Sequence, residues 1–258
     1  MSKQHWNFLA GLCGFTALAL ASLASNAQEV KEKPPLYGYV ADWQVPRASW
    51  GEFEKTYAAD KAILDKALAD GTIVGYGNDE AVVHTVDGPT HDNWWSAKSM
   101  AGLIKVLEQL GASGASTASP LSAATKHWDS IVVSTYYNWH PGAYKGGYTR
   151  VADYKIKADA PPDTFDDLNK HLIVPLLEKL LADGTIVEYE IDQLAVHTEA
   201  PGTFSVVYIC PTAEGLDKVN AALQAAMNSD PMGGYAFNAV IDISAHRDEL
   251  IRGDGVFK

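Results

Sequence analysis

Residues 69–85 read ADGTIVGYGNDEAVVHT, and residues 182–198 read ADGTIVEYEIDQLAVHT. Eleven of the seventeen positions are identical at an offset of 113 residues. The register holds outward on both sides: Leu64 meets Leu177, Lys66 meets Lys179, Thr90 meets Thr203, Gly102 meets Gly215, Val106 meets Val219 and Leu110 meets Leu223. A fixed period held over roughly sixty residues marks a repeated structural unit.

The second copy is the easier one to read. Thr149 to Ala158 alternates in polarity and suits a strand. Asp163-Thr164 starts a helix in which Phe165, Leu168, Leu172, Leu176 and Leu180 recur at helical spacing, and Asp183-Gly184 stops it. Thr185 to Thr198 is a long strand, with a bulge expected near Asp192. Glu199-Ala200-Pro201-Gly202 is a turn, and Thr203 to Cys210 is an apolar strand returning on its predecessor. A second helix follows Thr212 and runs to Met227, and a last strand is expected over Phe237 to Ser244. The first copy repeats this order with strands at Leu36–Trp43, Thr72–Thr85, Thr90–Ala97 and Ile131–Tyr137, and helices at Trp50–Ala69 and Ser99–Leu110. Gly111 to Ser119 reads as a loop.

Strand, helix, strand, strand, helix, strand is the ferredoxin-like βαββαβ unit. The fold class expected is α+β, with two tandem units, residues 28–140 and 141–258, whose antiparallel sheets cover one another as an intrachain α/β barrel. On element order and repetition the chain resembles the dimeric α/β-barrel superfamily, in which two ferredoxin-like units enclose a barrel. The ADGTIV, GPTHDNWW and SAHRD segments make it similar to a group of exported bacterial proteins. The superfamily resemblance implies a small-molecule site of the kind found in cofactor-free monooxygenases, lactone isomerases and haem-handling proteins.

Four clusters are candidates for that site. The strand TFSVVYIC of the second copy aligns with THDNWWSA, so His91, Asp92, Asn93, Trp94 and Trp95 stand where the second copy has Phe204, Ser205, Val206, Val207 and Tyr208. Polar groups in a core strand need partners or a purpose, so His91 and Asp92 are candidate catalytic groups and the other three candidate ligand contacts. His84 and His197 hold equivalent positions. Either they share a structural job or they meet across the barrel as a metal or acid–base pair. Tyr136, Tyr137, Asn138, Trp139 and His140, followed by a glycine-rich loop through Tyr148, could stack a flat ligand or pack a linker. His246 and Asp248 lie on one side of an extended chain, which suits metal binding, a carboxylate orienting an imidazole, or a polar strand end or helix start.

No phosphate loop, HExxH, CxxC pair or GxSxG elbow is present. The reading is an exported small-molecule barrel protein, with a non-enzymatic periplasmic interaction module and a histidine-based metalloprotein as alternatives. The cofactor is left open, and the expected ligand is small and planar or apolar. Residues 1–27 read as a cleaved signal peptide: Lys3 precedes an apolar run from Phe8 to Ala24, and Ser25-Asn26-Ala27 offers a cleavage site. A periplasmic or secreted protein without a stable membrane span is therefore expected. The net charge of −12 disfavours a nucleic acid partner. Cys210 is left without a disulfide partner and reads as a buried strand residue. A chain holding both units needs no second copy, so a monomer is expected.

Overall fold

The computed structural model describes residues 32–114 and 123–258; the signal peptide reading and much of the expected 111–119 loop lie outside them. Eight strands run in chain order: β1 Leu36–Gln44, β2 Gly75–Ala81, β3 His91–Ala97, β4 Lys126–Trp139, β5 Gly142–Lys155, β6 Glu188–Leu194, β7 Thr203–Cys210 and β8 Arg247–Phe257. The main helices are α1 Trp50–Asp70, α2 Met100–Ser113, α3 Thr164–Leu168, α4 Val174–Ala182, α5 Ala213–Ser229 and α6 Pro231–Val240. A π-helical turn, Asn169–Ile173, joins α3 to α4.

The strands close into a barrel in the order β1-β3-β2-β8-β5-β7-β6-β4. Each half contributes a ferredoxin-like sheet, β4-β1-β3-β2 and β8-β5-β7-β6. The sheets meet along two seams, Tyr76 opposite Val256 in one and Tyr137 opposite Glu190 in the other. Every neighbouring pair is antiparallel. Equivalent strands, such as β2 and β6, are therefore four places apart either way round the ring, run parallel, and face each other across the lumen.

The helices lie outside the barrel, and that sets which residues point inward. Strand residues alternate between faces. In the first half Tyr39, Tyr76, Trp95 and Ala97 turn outward onto Leu64, Ala67, Leu103 and Val106. In the second half Tyr189, Ile191, Phe204 and Val206 turn outward onto Leu177, Leu180, Leu181 and Val219. Each fully buried large apolar side chain contributes about 1.5–3 kcal/mol, so the two cores under the helices carry the fold and the lumen is left free for polar groups.

The repeated Ala-Asp-Gly-Thr segment has a local explanation. Gly71 and Gly184 take left-handed φ values of 79° and 75°, the conformation that ends a helix at little steric cost. The side chains of Asp70 and Asp183 then accept from the backbone N–H of Thr72 and Thr185, each at 2.9 Å.

Several expected boundaries are corrected. Phe237 lies in α6, not in a strand; Asp230 caps that helix by accepting from Gly233 N at 2.9 Å, with Pro231 in its first turn. The last strand is β8, which starts after Ser244. β5 begins at Gly142, so the expected glycine-rich loop is mostly strand. Residues 111–113 complete α2. The bulge lies on β4 between Ser134 and Tyr136, opposite Asp192, and not in β6 itself.

Candidate functional site

The inward positions are acidic to an unusual degree. β1 supplies Asp42, β2 Asp79, β3 Asp92, β5 Asp153, β6 Glu188, Glu190 and Asp192, and β8 Glu249, all lining one cavity of about 530 Å³. The basic side chains on its wall are Lys155 and Arg247. Both lie at the end where β5 finishes and β8 starts, and Arg247 spends its guanidinium on the backbone carbonyls of Ser244 and His246. Trp128, Pro89, Glu199 and Ala200 line the cavity at that same end. At the other end Phe257 stacks between Trp94 and Trp139, with centroids at 5.3 and 5.7 Å, and Tyr144 joins this aromatic plug.

Burial away from water disfavours the charged form of a carboxyl group. It raises Asp42 and Asp79 to about 7 and Asp192 to about 6, and it raises Asp153 and Glu249. Asp92, Glu188 and Glu190 are pushed well above the carboxylate range, first by burial and then by the neighbouring acids. The acids fall in two close pairs: Asp79 stands directly opposite Asp92 on the neighbouring strand, and Glu190 and Asp192 are two residues apart on the inward face of β6. Neighbouring buried carboxyl groups resist ionising together, so each pair can offer one acid and one potential base. Trp94 Nε1 donates to Asp79 Oδ2 at 3.0 Å, Ser205 Oγ donates to Asp153 at 2.5 Å, and Ser134 donates to Asp192.

Three buried polar atoms on the cavity wall lack partners among the described residues: Asp79 Oδ1, Glu188 Oε1 and Thr149 Oγ1. Asp79 and Glu188 are each only 2% exposed. Burying such atoms unpaired is costly, and a bound molecule with donors would satisfy them.

The proposed site residues separate by strand parity. Asp92 and Trp94 point into the cavity. His91 faces outward and is 1% exposed, packed against Trp50 and Phe53 at 5.0 and 4.6 Å, with Thr90 Oγ1 at 3.0 Å from Nδ1. Burial lowers it to about 4, so it stays neutral and lies on the wrong side of the sheet for the lumen. Trp95 is likewise outward, stacked on Tyr39, with Nε1 donating to Leu103 O, and Asn93 shares that outward parity.

His84 and His197 do not line the cavity; both are exposed after β2 and β6, and His84 rests 5.2 Å from the Trp50 ring. Tyr137 donates to Pro34 O, Asn138 to Glu178, Trp139 Nε1 to Lys258 O and His140 Nε2 to Leu181 O. These bonds tie the β4 end to its surroundings. His246 stacks on Tyr154 at 4.4 Å and donates through Nδ1 to Asp153 O, directly behind a lumen acid. Asp248 lies 3.4 Å from its other nitrogen but is committed to Arg150 at 2.6 Å. Cys210 is fully buried, its thiol pushed up to about 12 by burial.

Among the described residues no group of three His, Cys, Asp or Glu is arranged to hold a metal ion. No histidine among the described residues lines the cavity. The sequence reading missed seven of the eight lumen acids. The signal was present in Glu188-Tyr189-Glu190-Ile191-Asp192, where acidic and apolar residues alternate, but it reads equally well as a strand with one face in water.

No protein-family model and no curated protein sequence matches the chain. Among solved structures it is similar to a candidate monooxygenase from Lactobacillus acidophilus NCFM, at 9% identity and a TM-score of 0.60, covering 86% of this chain and 94% of that one. It is also similar to a candidate monooxygenase from Fusobacterium nucleatum subsp. nucleatum, at 7% identity and a TM-score of 0.55, covering 88% and 94%. A chlorite dismutase from Candidatus Nitrospira defluvii in complex with imidazole matches at 12% identity and a TM-score of 0.50, covering 90% and 95%. The chain thus has the dimeric α+β barrel fold of these proteins, with both ferredoxin-like units in one polypeptide.

Proposed function

We propose that this barrel binds a small molecule in its acidic lumen and acts on it by proton transfer, as an isomerase- or monooxygenase-like protein whose acid and base are carboxyl groups. The observation that carries this reading is that Asp79 and Asp92 stand directly opposite each other on the wall of an open cavity, both raised above the ordinary carboxylate value by burial. One member can donate while the other accepts, and Asp79, raised to about 7, keeps both of its forms accessible near neutral pH. Glu190–Asp192 repeats the arrangement on the opposite wall. The outward histidines are left to structural work.

The same reading makes the protein exported, acting in the periplasm or outside the cell, and complete as a monomer. Among the described residues no helix is long and apolar enough to cross a membrane. A purely partner-binding role is less well supported, because the aromatic residues it would use are engaged internally: Trp94 in the lumen and Trp95 under α2.

Native mass spectrometry of protein purified from its own host tests the reading. A retained small molecule is expected in the wild type and is expected to be absent from Val151→Phe, which fills the lumen. Asp92→Asn should still bind but lose turnover of the molecule so identified. A lumen that retains nothing and gives no thermal shift with any of a broad set of small molecules would overturn the proposal.

A further inference from the structure

The lumen contains eight strand acids, and the basic side chains on its wall, Lys155 and Arg247, both stand at one end. Two carboxyl pairs line the facing walls: Asp79 directly opposite Asp92 on β2 and β3, and Glu190 with Asp192 two residues apart on β6. β2 and β6 are diametrically opposed and parallel in the ring, so Asp79 and Asp192, which are equivalent residues, lie at equal height on opposite walls. Asp79 Oδ1 and Glu188 Oε1, both almost fully buried, point into this space without partners.

We propose that the lumen takes a small organic diammonium compound, one cationic end held by Asp79/Asp92 and the other by Glu190/Asp192. The inference rests on the lumen being the ligand site and adds the chemical class. Ammonium groups supply several donors each, which is what orphaned carboxyl oxygens lack. A divalent metal ion is the competing cation, but it needs ligands converging on a point, and the acids are spread over opposing walls with no such convergence among the described residues. The indole of Trp94 beside Asp79 offers a cation a second favourable surface. Binding would draw protons off the pairs, while Asp42, Asp153, Glu188 and Glu249 face the same space and Lys155 and Arg247 stand at its mouth. Affinity is therefore expected to rise from pH 5 to pH 8.

Calorimetric titration with 1,4-diaminobutane tests this, with butylamine, 1,4-butanediol and magnesium chloride as comparison ligands and 1-naphthol as a neutral planar probe. The diamine should bind, butylamine about tenfold more weakly, and the diol and magnesium not at all. Asp79→Asn and Asp192→Asn, each near-isosteric, should each weaken the diamine by about tenfold or more without lowering the melting temperature. Binding of the diol as tightly as the diamine, magnesium occupying the site in place of the diamine, or unchanged diamine affinity in both variants would overturn the proposal. If 1-naphthol enters and the diamine does not, the cation assignment fails and the lumen remains a ligand site; if neither enters, the assignment and the proposed function fail together.

Discussion

Strands β2 and β6 hold the same place in their two halves and share a local sequence, yet they line the lumen with opposite materials. β2 presents Gly75, Gly77 and Asp79; β6 presents Glu188, Glu190 and Asp192. The glycines are there because the space is taken. A Cβ on Gly77 would stand 2.6 Å from the Trp94 ring, and one on Gly75 would stand 2.5 Å from Phe257. Opposite Glu190 the counterpart of Trp94 is Val207, short enough to leave room for a carboxyl group. One wall is thus filled with aromatic rings and the other with acids, on nearly the same backbone, and the cavity is the difference between them.

The comparison can be broken most forcefully at Phe257. Phe257→Ala should cost about 3–5 kcal/mol, read as a lower midpoint in urea, because its ring holds the plug formed with Trp94, Trp139 and Tyr144. A loss of under about 1 kcal/mol would show that the aromatic wall is not what fills the glycine side.

Next in size is a dependence on pH. Asp42 and Asp79 at about 7 and Asp192 at about 6 lie above the 3.8 of a free carboxyl group. The folded protein therefore binds these protons more tightly than the unfolded chain. Their stabilising contribution is complete below about pH 4 and is lost as pH rises through 6 to 7. Denaturant titrations should show stability falling between pH 5 and pH 8 by on the order of a few kcal/mol. Asp79→Asn should flatten part of that slope, and a flat profile in the wild type would mean that the acids are not held out of water.

A paired substitution sharpens the contrast directly. Gly77→Ala should destabilise by about 1–3 kcal/mol through overpacking against Trp94, whereas Glu190→Ala, which removes a buried acid beside open space, should change stability by less than about 1 kcal/mol. Equal losses would erase the distinction between the walls. Smallest of all, His84→Ala and His197→Ala should each stay within about 0.5 kcal/mol of the wild type and leave ligand retention unchanged.

The repeat register made the element order of both halves readable, because strand and helix periodicities survive in each copy and Asp-Gly-Thr stops both helices alike. The end of the second half was not readable in the same way. Phe237 to Ser244 looked apolar enough for a strand, although Asp230 and Pro231 announce a helix. β8 is disguised by its charges and by Gly253 and Gly255, which are small because a side chain there would strike Asn78 O or Tyr144. Of the site, Asp92 and Trp94 emerged from comparing the copies, since a substitution pattern shows where the halves diverge. The remaining acids did not, because a period-two pattern cannot distinguish a polar face turned to solvent from one turned into a lumen. Only ring closure decides that, and it depends on contacts between β2 and β8 and between β4 and β6 that no local pattern encodes. His91 was misjudged for a related reason: one step of parity separates it from Asp92 and puts a sheet between them.

A barrel assembled from two identical chains carries a twofold axis along its lumen, and a guest with two identical ends meets identical surroundings at both. In this single chain the two seams join unlike walls, so the axis survives in the backbone but not in the side chains. Two chemically indistinguishable ends of one molecule would become distinguishable on binding, and a reaction could be confined to one of them.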